Sequence, residues 1–293
     1  TGTTPNCFDE QTFDVTINLT PDVDPLADQI MCDSYTLPAI TGTNLTGNEA
    51  YYDAPNGGGT QYNAGDNITA AGTTTLYIYD ETATAPNCFD EETFDVTINL
   101  TPVVDPLADQ TECDSYTLPA ITGTNLTGNE AYYDAPNGGG TQYNAGDNIT
   151  AAGTTTLYIY DETGTAPNCF DEQTFDVTIN ITPTFALAST DPTVCGGADG
   201  TITISGLTPN TAYDITYSDG GVPVGPASMN SDAAGDIVIG GLTSGSYSDF
   251  VVTLNGCTAT DNSSFNLVEP NAPAVDAGAD QEVCAGTAVT LTA

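Results

Sequence analysis

The sequence predicts an all-β chain built as a row of antiparallel sandwich domains. Three observations predict it: a long internal repeat, period-2 apolar alternation bounded by glycine-rich turns, and eight widely spaced cysteines in a chain without a single Lys, Arg or His.

The repeat comes first, because it sets the organisation. Residues 26–102 and 107–183 align without a gap at a spacing of 81 and differ at only five pairs: Ile30/Thr111, Met31/Glu112, Ala83/Gly164, Glu92/Gln173 and Leu100/Ile181. Residues 1–21 copy the stretch 82–102, so they read as the C-terminal end of a preceding repeat. The expected domains are therefore 1–21 (that C-terminal end), 22–102 and 103–183 (two near-identical repeats), 184–270 (a different unit) and 271–293 (the opening of a further one).

Strand is the expected state throughout. Phe13, Val15, Ile17 and Leu19 alternate with Asp14, Thr16 and Asn18, which points one face inward. Leu76–Tyr79 and Phe250–Leu254 are rich in β-branched and aromatic side chains. Turn signals separate such runs: Asn56–Gly59, Ala64–Asn67 and Asp219–Gly221. No segment carries a capped helical stripe. Short strands at regular spacing make these antiparallel sandwiches of the immunoglobulin kind. The joints Thr20–Pro25 and Thr101–Pro106 hold two prolines each, so an extended rod is expected.

The cysteines supply the staples. Each unit has one near its start and one near its end. Pairing within units gives Cys32–Cys88, Cys113–Cys169 and Cys195–Cys257, and leaves Cys7 and Cys284 to partners outside the sequence. Pairing between neighbours, such as Cys88–Cys113, stays open, because the phase of a repeat does not distinguish the two. Disulfides place the chain in an oxidising, extracellular compartment.

Charge closes off several functions. Forty Asp and Glu stand against no side-chain cation, for a net charge of −40. Nucleic-acid binding and contact with an anionic membrane both need cations. Lys–Asn isopeptide crosslinks cannot form. Ser–His–Asp and Cys–His nucleophiles, Lys Schiff bases and His-ligated zinc are equally impossible. Paired carboxylates exist at Asp90–Glu91–Glu92 with Asp95, and recur at Asp9–Glu10 with Asp14 and at Asp171–Glu172 with Asp176. A cluster copied into every repeat reads as structure, and the chain is expected not to be an enzyme. The acidic coat keeps a long polymer soluble and apart from its neighbours.

Two candidate sites stand beside blander readings. Asp24 and Asp28 at one joint, and Asp105 and Asp109 at the next, recur where a bridging calcium ion could lock domain to domain; the alternative is a solvated acidic surface. Tyr52 and Tyr133 could stack on a sugar, but alternation should bury one Tyr of each pair, Tyr51–Tyr52 and Tyr132–Tyr133, and leave the other at the rim. The sequons at Asn44, Asn67, Asn125, Asn148 and Asn262 would be glycan sites in a eukaryotic secreted protein; in Thr- and Asn-rich bacterial strands they are expected by chance, the reading favoured here.

The run Val194–Ile202, with Gly241–Tyr247 and Asn255–Gly256–Cys257, resembles the repeats of giant SprB-type gliding-motility adhesins of the Bacteroidota. Those repeats open on Cys-x-Gly-x-x-x-Gly-x-Ile and close on Gly-Leu-x-x-Gly-x-Tyr and Asn-Gly-Cys. Val275–Gln281 with Cys284 resembles the opening of PKD-like or Ig-like modules of the same secreted proteins. The resemblance covers about a third of the chain. It implies type IX secretion, outer-membrane attachment through regions outside this sequence, and a role in adhesion or gliding.

The expected function is a non-catalytic stalk of a surface-displayed adhesin. Its expected partners are neighbouring repeats, with surface glycans or other surface proteins as further candidates. The alternatives are glycan-binding modules made multivalent by repetition, or a self-assembling extracellular filament.

Overall fold

The computed structural model describes residue 2, residues 5–271, residues 282–286 and residue 288. Most of the expected further unit, 271–293, including its Ala279–Gln281 lead-in, lies outside the described residues. Among the described residues every regular element is a strand.

The first repeat holds nine strands: β1 (Asp22–Val23), β2 (Gln29–Cys32), β3 (Tyr35–Thr36), β4 (Gly42–Thr43), β5 (Ala50–Ala54), β6 (Gly58–Tyr62), β7 (Asn67–Ile68), β8 (Gly72–Glu81) and β9 (Phe89–Asn99). Five form one sheet in the order β2-β9-β8-β5-β6, and the pairs β1-β4 and β3-β7 form short ladders. The pairing of β2 with β9 is parallel, with Cys32 opposite Asn99, while β9-β8, β8-β5 and β5-β6 are antiparallel. This arrangement is immunoglobulin-like. The core follows the period-2 pattern: Leu76 and Ile78 of β8 and Phe94, Val96 and Ile98 of β9 are buried with Val23, Leu37, Tyr51 and Ile68. The joint is no free linker, because its Asp22–Val23 pairs with Gly42–Thr43 of the repeat that follows.

The second repeat carries β10–β18 at the equivalent positions of its own copy, from β10 (Val103–Val104) through β11 (Gln110–Cys113), β14 (Ala131–Ala135), β15 (Gly139–Tyr143) and β17 (Gly153–Glu162) to β18 (Phe170–Asn180). Its sheet order is β11-β18-β17-β14-β15, again with a parallel first pair.

The third unit has eight strands: β19 (Ala186–Thr190), β20 (Gly200–Ser205), β21 (Ala212–Asp219), β22 (Val222–Asn230), β23 (Ile237–Leu242), β24 (Gly245–Leu254), β25 (Cys257–Asp261) and β26 (Phe265–Leu267). Two antiparallel sheets, β19-β20-β23 and β22-β21-β24-β25 with β26 on β24, enclose Ile202, Ile204, Tyr213, Ile215, Phe250 and Val252.

The chain divides into two compact units, residues 1–108, 118–147 and 156–175 against 109–117, 148–155 and 176–293. The boundary falls inside the second repeat, so each joint between successive repeats lies whole within one unit.

The expected strand Phe13–Leu19 is a correction. No strand forms among the described residues of 1–21, and Phe13, Val15, Ile17 and Leu19 are exposed. Their counterparts Phe94, Val96 and Ile98 are buried. The difference is pairing: β9 lies between β2 and β8, whereas among the described residues 1–21 pair with no strand.

With no cation available, the carboxylates turn to N–H and O–H donors. Buried Asp80 accepts from the backbone N–H and hydroxyl of Thr46, and buried Asp161 does the same with Thr127. Asp90 accepts from Val23 N at 2.8 Å and Asp171 from Val104 N at 2.9 Å. Among the described residues no buried side-chain polar atom lacks a hydrogen-bond partner, which is what a core without ion pairs requires.

Candidate functional site: the stapled joints

The disulfides overturn the expected pairing within units. Cys32 bonds Cys169 and Cys113 bonds Cys257, at sequence separations of 137 and 144. Cys88 and Cys195 carry free thiols in this chain, as do Cys7 and Cys284. The within-unit set does not form; pairing between neighbouring units does, though as Cys32–Cys169 and Cys113–Cys257 and not as Cys88–Cys113.

Strand geometry gives the reason. The parallel β2-β9 register sets Cys32 beside Asn99, at the trailing end of its sandwich. Cys88 precedes Phe89, at the other end of the same β9 strand. At about 3.3 Å per residue, the two lie roughly 36 Å apart along the sheet. A disulfide needs Cα atoms within about 7 Å. The third unit repeats the separation: Cys257 adjoins Leu254 at one end of β24, while Cys195 and Gly196 lie by Glu269, which accepts from Ser244 Oγ at the other end.

Each joint is built from the same parts. Directly after Cys32, Asp33 adopts a left-handed φ of 62° and donates its N–H to Asn99 O at 2.9 Å. Its carboxylate accepts from Thr101 N at 2.8 Å and Thr101 Oγ1 at 2.7 Å, and these donors hold its pKa below the usual 3.8. Thus the residue after the cysteine clamps the chain as it leaves the sandwich. Asn99 Nδ2 then donates to Thr165 Oγ1 at 3.1 Å, and Cys169 Sγ lies 3.8 Å from Asn99 O. Cys169 is held by a reciprocal pair, its N–H donating to Thr163 Oγ1 at 3.1 Å and its carbonyl accepting from Thr163 N at 3.0 Å.

The second joint matches. Asp114, at φ 64°, donates to Asn180 O and accepts from Thr182 N and Oγ1, which lower its pKa. Asn180 Nδ2 donates to Asn255 O at 3.2 Å, and Cys257 Sγ lies 3.6 Å from Asn180 O. Cys169 and Cys257 are buried. These clamps at Asp33 and Asp114 were not read from the sequence; the signal was there, an Asp directly after Cys32 and after Cys113.

The candidate calcium ligands do not converge. Asp28 Oδ1 accepts from Asp95 N and Asp109 Oδ1 from Asp176 N, each at 2.9 Å, within their own repeats. The backbone of Asp24 pairs with Thr41 O, and Asp105 Oδ2 accepts from Thr122 Oγ1. Among the described residues no group of three or more His, Cys, Asp or Glu is arranged to hold a metal ion. The carboxylate clusters are likewise engaged: Asp90 with Val23, Glu91 with Asn56 N and Asp95 with Thr75 Oγ1.

The tyrosine pairs split between core and rim. Tyr51 and Tyr132 are fully buried and donate to Pro38 O and Pro119 O. Tyr52 and Tyr133 are half-buried and pack edge-on against Tyr79 and Tyr160 at 6.0 Å. Burial, with a hydrogen bond to Glu162, pushes the Tyr160 hydroxyl up to about 12. Tyr133 and Tyr160 line a polar groove of about 420 Å³ with Glu130, Glu162, Asn129 and Gln142.

No protein-family model matches the chain, and no curated protein matches it. Solved structures do. A variant of three immunoglobulin domains of titin is 10% identical over 86% of this chain and 100% of its own, with a TM-score of 0.46. Extracellular domains 3–5 of Drosophila OTK are 9% identical over 88% and 99%, with a TM-score of 0.36. Immunoglobulin domains 1–4 of Sidekick-1 are 10% identical over 86% and 76%, with a TM-score of 0.32.

Proposed function

We propose that this chain is a non-catalytic, load-bearing stretch of an extracellular, surface-displayed adhesin. One observation carries the reading: each disulfide joins a repeat to the next instead of closing a repeat on itself. A joint that only linked independent domains would need no covalent bond across it. Disulfides also call for an oxidising compartment. The resemblance of residues 194–257 to SprB-type repeats supports the finer reading, a Bacteroidota adhesin exported by type IX secretion and used in gliding.

Single-molecule pulling with attachment points flanking Cys32 and Cys257 tests it. When the bonds are reduced, the load runs through the whole chain from Cys32 to Cys257. With both staples intact, the shortest covalent path passes through only the stretch between Cys113 and Cys169. At about 3.5 Å per residue, the greatest extension is roughly 200 Å oxidised and roughly 790 Å reduced. An oxidised chain that stretches as far as the reduced one would remove the load-bearing role.

A second reading rests on the groove beside Tyr133. A half-buried tyrosine, Tyr133, against the buried Tyr160 among carboxylates and amides offers the fittings of a glycan subsite, and repetition would make it multivalent. A glycan array decides it: binding abolished by Tyr52→Ala with Tyr133→Ala supports a lectin-like repeat, and no binding at all removes that reading.

A further inference from the structure

Both staples follow one rule of phase: the cysteine near the start of a unit bonds the cysteine near the end of the unit that follows. At the margins of the described array, the half-joint at Cys88 has the same geometry without the bond, and Cys195 stands at the matching end of the third unit. At the leading end of the first repeat, Cys88 Sγ lies 3.9 Å from Asn18 O, as Cys169 lies 3.8 Å from Asn99 O and Cys257 3.6 Å from Asn180 O. Asn18 Nδ2 donates across that joint to Thr84 O at 3.0 Å and Pro86 O at 3.2 Å. Asn18, Asn99 and Asn180 are successive copies of one position in the repeat. In both stapled joints the residue in register with that asparagine is the start cysteine, Cys32 or Cys113. At the trailing end of the third unit, Cys195 is exposed and lies 3.8 Å from Glu269, where the chain leaves the sandwich. That is the place Cys32 holds in the first repeat.

We infer that Cys88 and Cys195 are halves of two further staples, and that the array is held by two interleaved covalent paths. Cys88 bonds the start cysteine of a repeat completed ahead of residues 1–21. Cys195 bonds the end cysteine of the unit that follows residue 270. One path then runs from Cys32 through its bond to Cys169, along the backbone to Cys195, and onward. The other runs from Cys88 along the backbone to Cys113 and through its bond to Cys257. Each path uses only the last strand of a unit, the joint, and the first strands of the next. Residues 33–87 and 114–168, which contain most of each core, lie on neither path. Tension therefore passes along covalent bonds and short strands, and a core can open without lengthening the array. Each staple forms by thiol–disulfide exchange: the two cysteine S–H bonds and the oxidant's S–S bond break, the staple's S–S bond forms, and the oxidant leaves with both electrons and both protons as a pair of thiols.

The inference rests on the array reading, and the test separates the two. The full-length protein is alkylated under denaturing, non-reducing conditions and cleaved before aspartate. The Cys88 peptide, 80–89, differs from the Cys169 peptide, 161–170, by Ala83 in place of Gly164, so mass resolves them. The expected result is that 80–89 is found only disulfide-linked to a start-cysteine peptide and never alkylated. In the 293-residue chain alone, Cys88 and Cys195 alkylate fully. Adding a copy of residues 22–81 ahead of Thr1 completes one more repeat. Cys88 alkylation should fall from full to none in that chain while it runs as a monomer on a non-reducing gel, and Cys88→Ser should expose the added start cysteine. A free Cys88 in the full-length protein, or a bond from Cys88 to a second molecule, overturns the inference. The array reading survives that result if the Cys32–Cys169 and Cys113–Cys257 peptides are still found linked.

Discussion

Cys88 and Cys169 occupy equivalent positions in the two repeats, yet only Cys169 is bonded in this chain. Replacing each by serine should therefore have opposite consequences. With Cys169→Ser, the second repeat loses a constraint on its unfolded state. If the first repeat stays folded, Cys32 remains fixed beside Asn99, so the loop closed by the bond runs only from Asn99 to Cys169. Chain entropy for a loop of that length amounts to about 4 kcal/mol, and to about 5 kcal/mol for the full loop from Cys32 to Cys169 if both repeats open together. With a urea slope of about 2 kcal/mol/M, the midpoint should fall by about 2 M. Cys88→Ser should move it by no more than about 0.25 M, the range of an uncoupled substitution of about 0.5 kcal/mol. Tyrosine fluorescence reports the transition, since the chain has 15 Tyr and no Trp. The five sequence differences between the repeats permit an independent check by peptide mapping. Asp28–Cys32 should be linked to Asp161–Phe170, not to Asp80–Phe89. Equal losses from the two serine variants, or a neutral Cys169→Ser, would refute the reasoning.

Asp33→Asn should lower the melting temperature at pH 7 by weakening the clamp on Thr101. The folded pKa of Asp33 is depressed, so its contribution is present above the unfolded value of about 3.8 and is lost as pH falls through the folded value. The gap between wild type and variant should close below pH 3.8, and a gap independent of pH counts against the clamp. Asp80→Ala strands the N–H and hydroxyl of Thr46 in a buried site and should cost about 1–3 kcal/mol by denaturant titration. Phe94→Ala should cost about 3–5 kcal/mol, whereas Phe13→Ala, its copy in the exposed N-terminal segment, should stay within about 0.5 kcal/mol.

Much of the fold was legible because it depends on local pattern. The inward positions of β8 and β9 follow from strict alternation, and Tyr51 and Tyr132 fall inside while Tyr52 and Tyr133 stay at the rim, as period 2 requires. The same pattern misled at Phe13–Leu19. Alternation states which face is apolar, but a strand exists only where another strand meets its backbone donors and acceptors. The hydrogen bonds of Asp28 and Asp109 to backbone N–H groups of their own repeats were not legible, because which donor a carboxylate meets depends on strand register.

The amino-acid sequence alone determined that this protein is a repeated, all-β, cation-free chain with one cysteine near each end of every unit. Only the tertiary structure decided which cysteines meet. In a perfect repeat, bonding within a unit and bonding to the next unit share the same phase, so spacing carries no preference. The parallel register of β2 on β9 breaks the tie, because it sends the start cysteine to the far end of its own sandwich, where only the following unit is within reach.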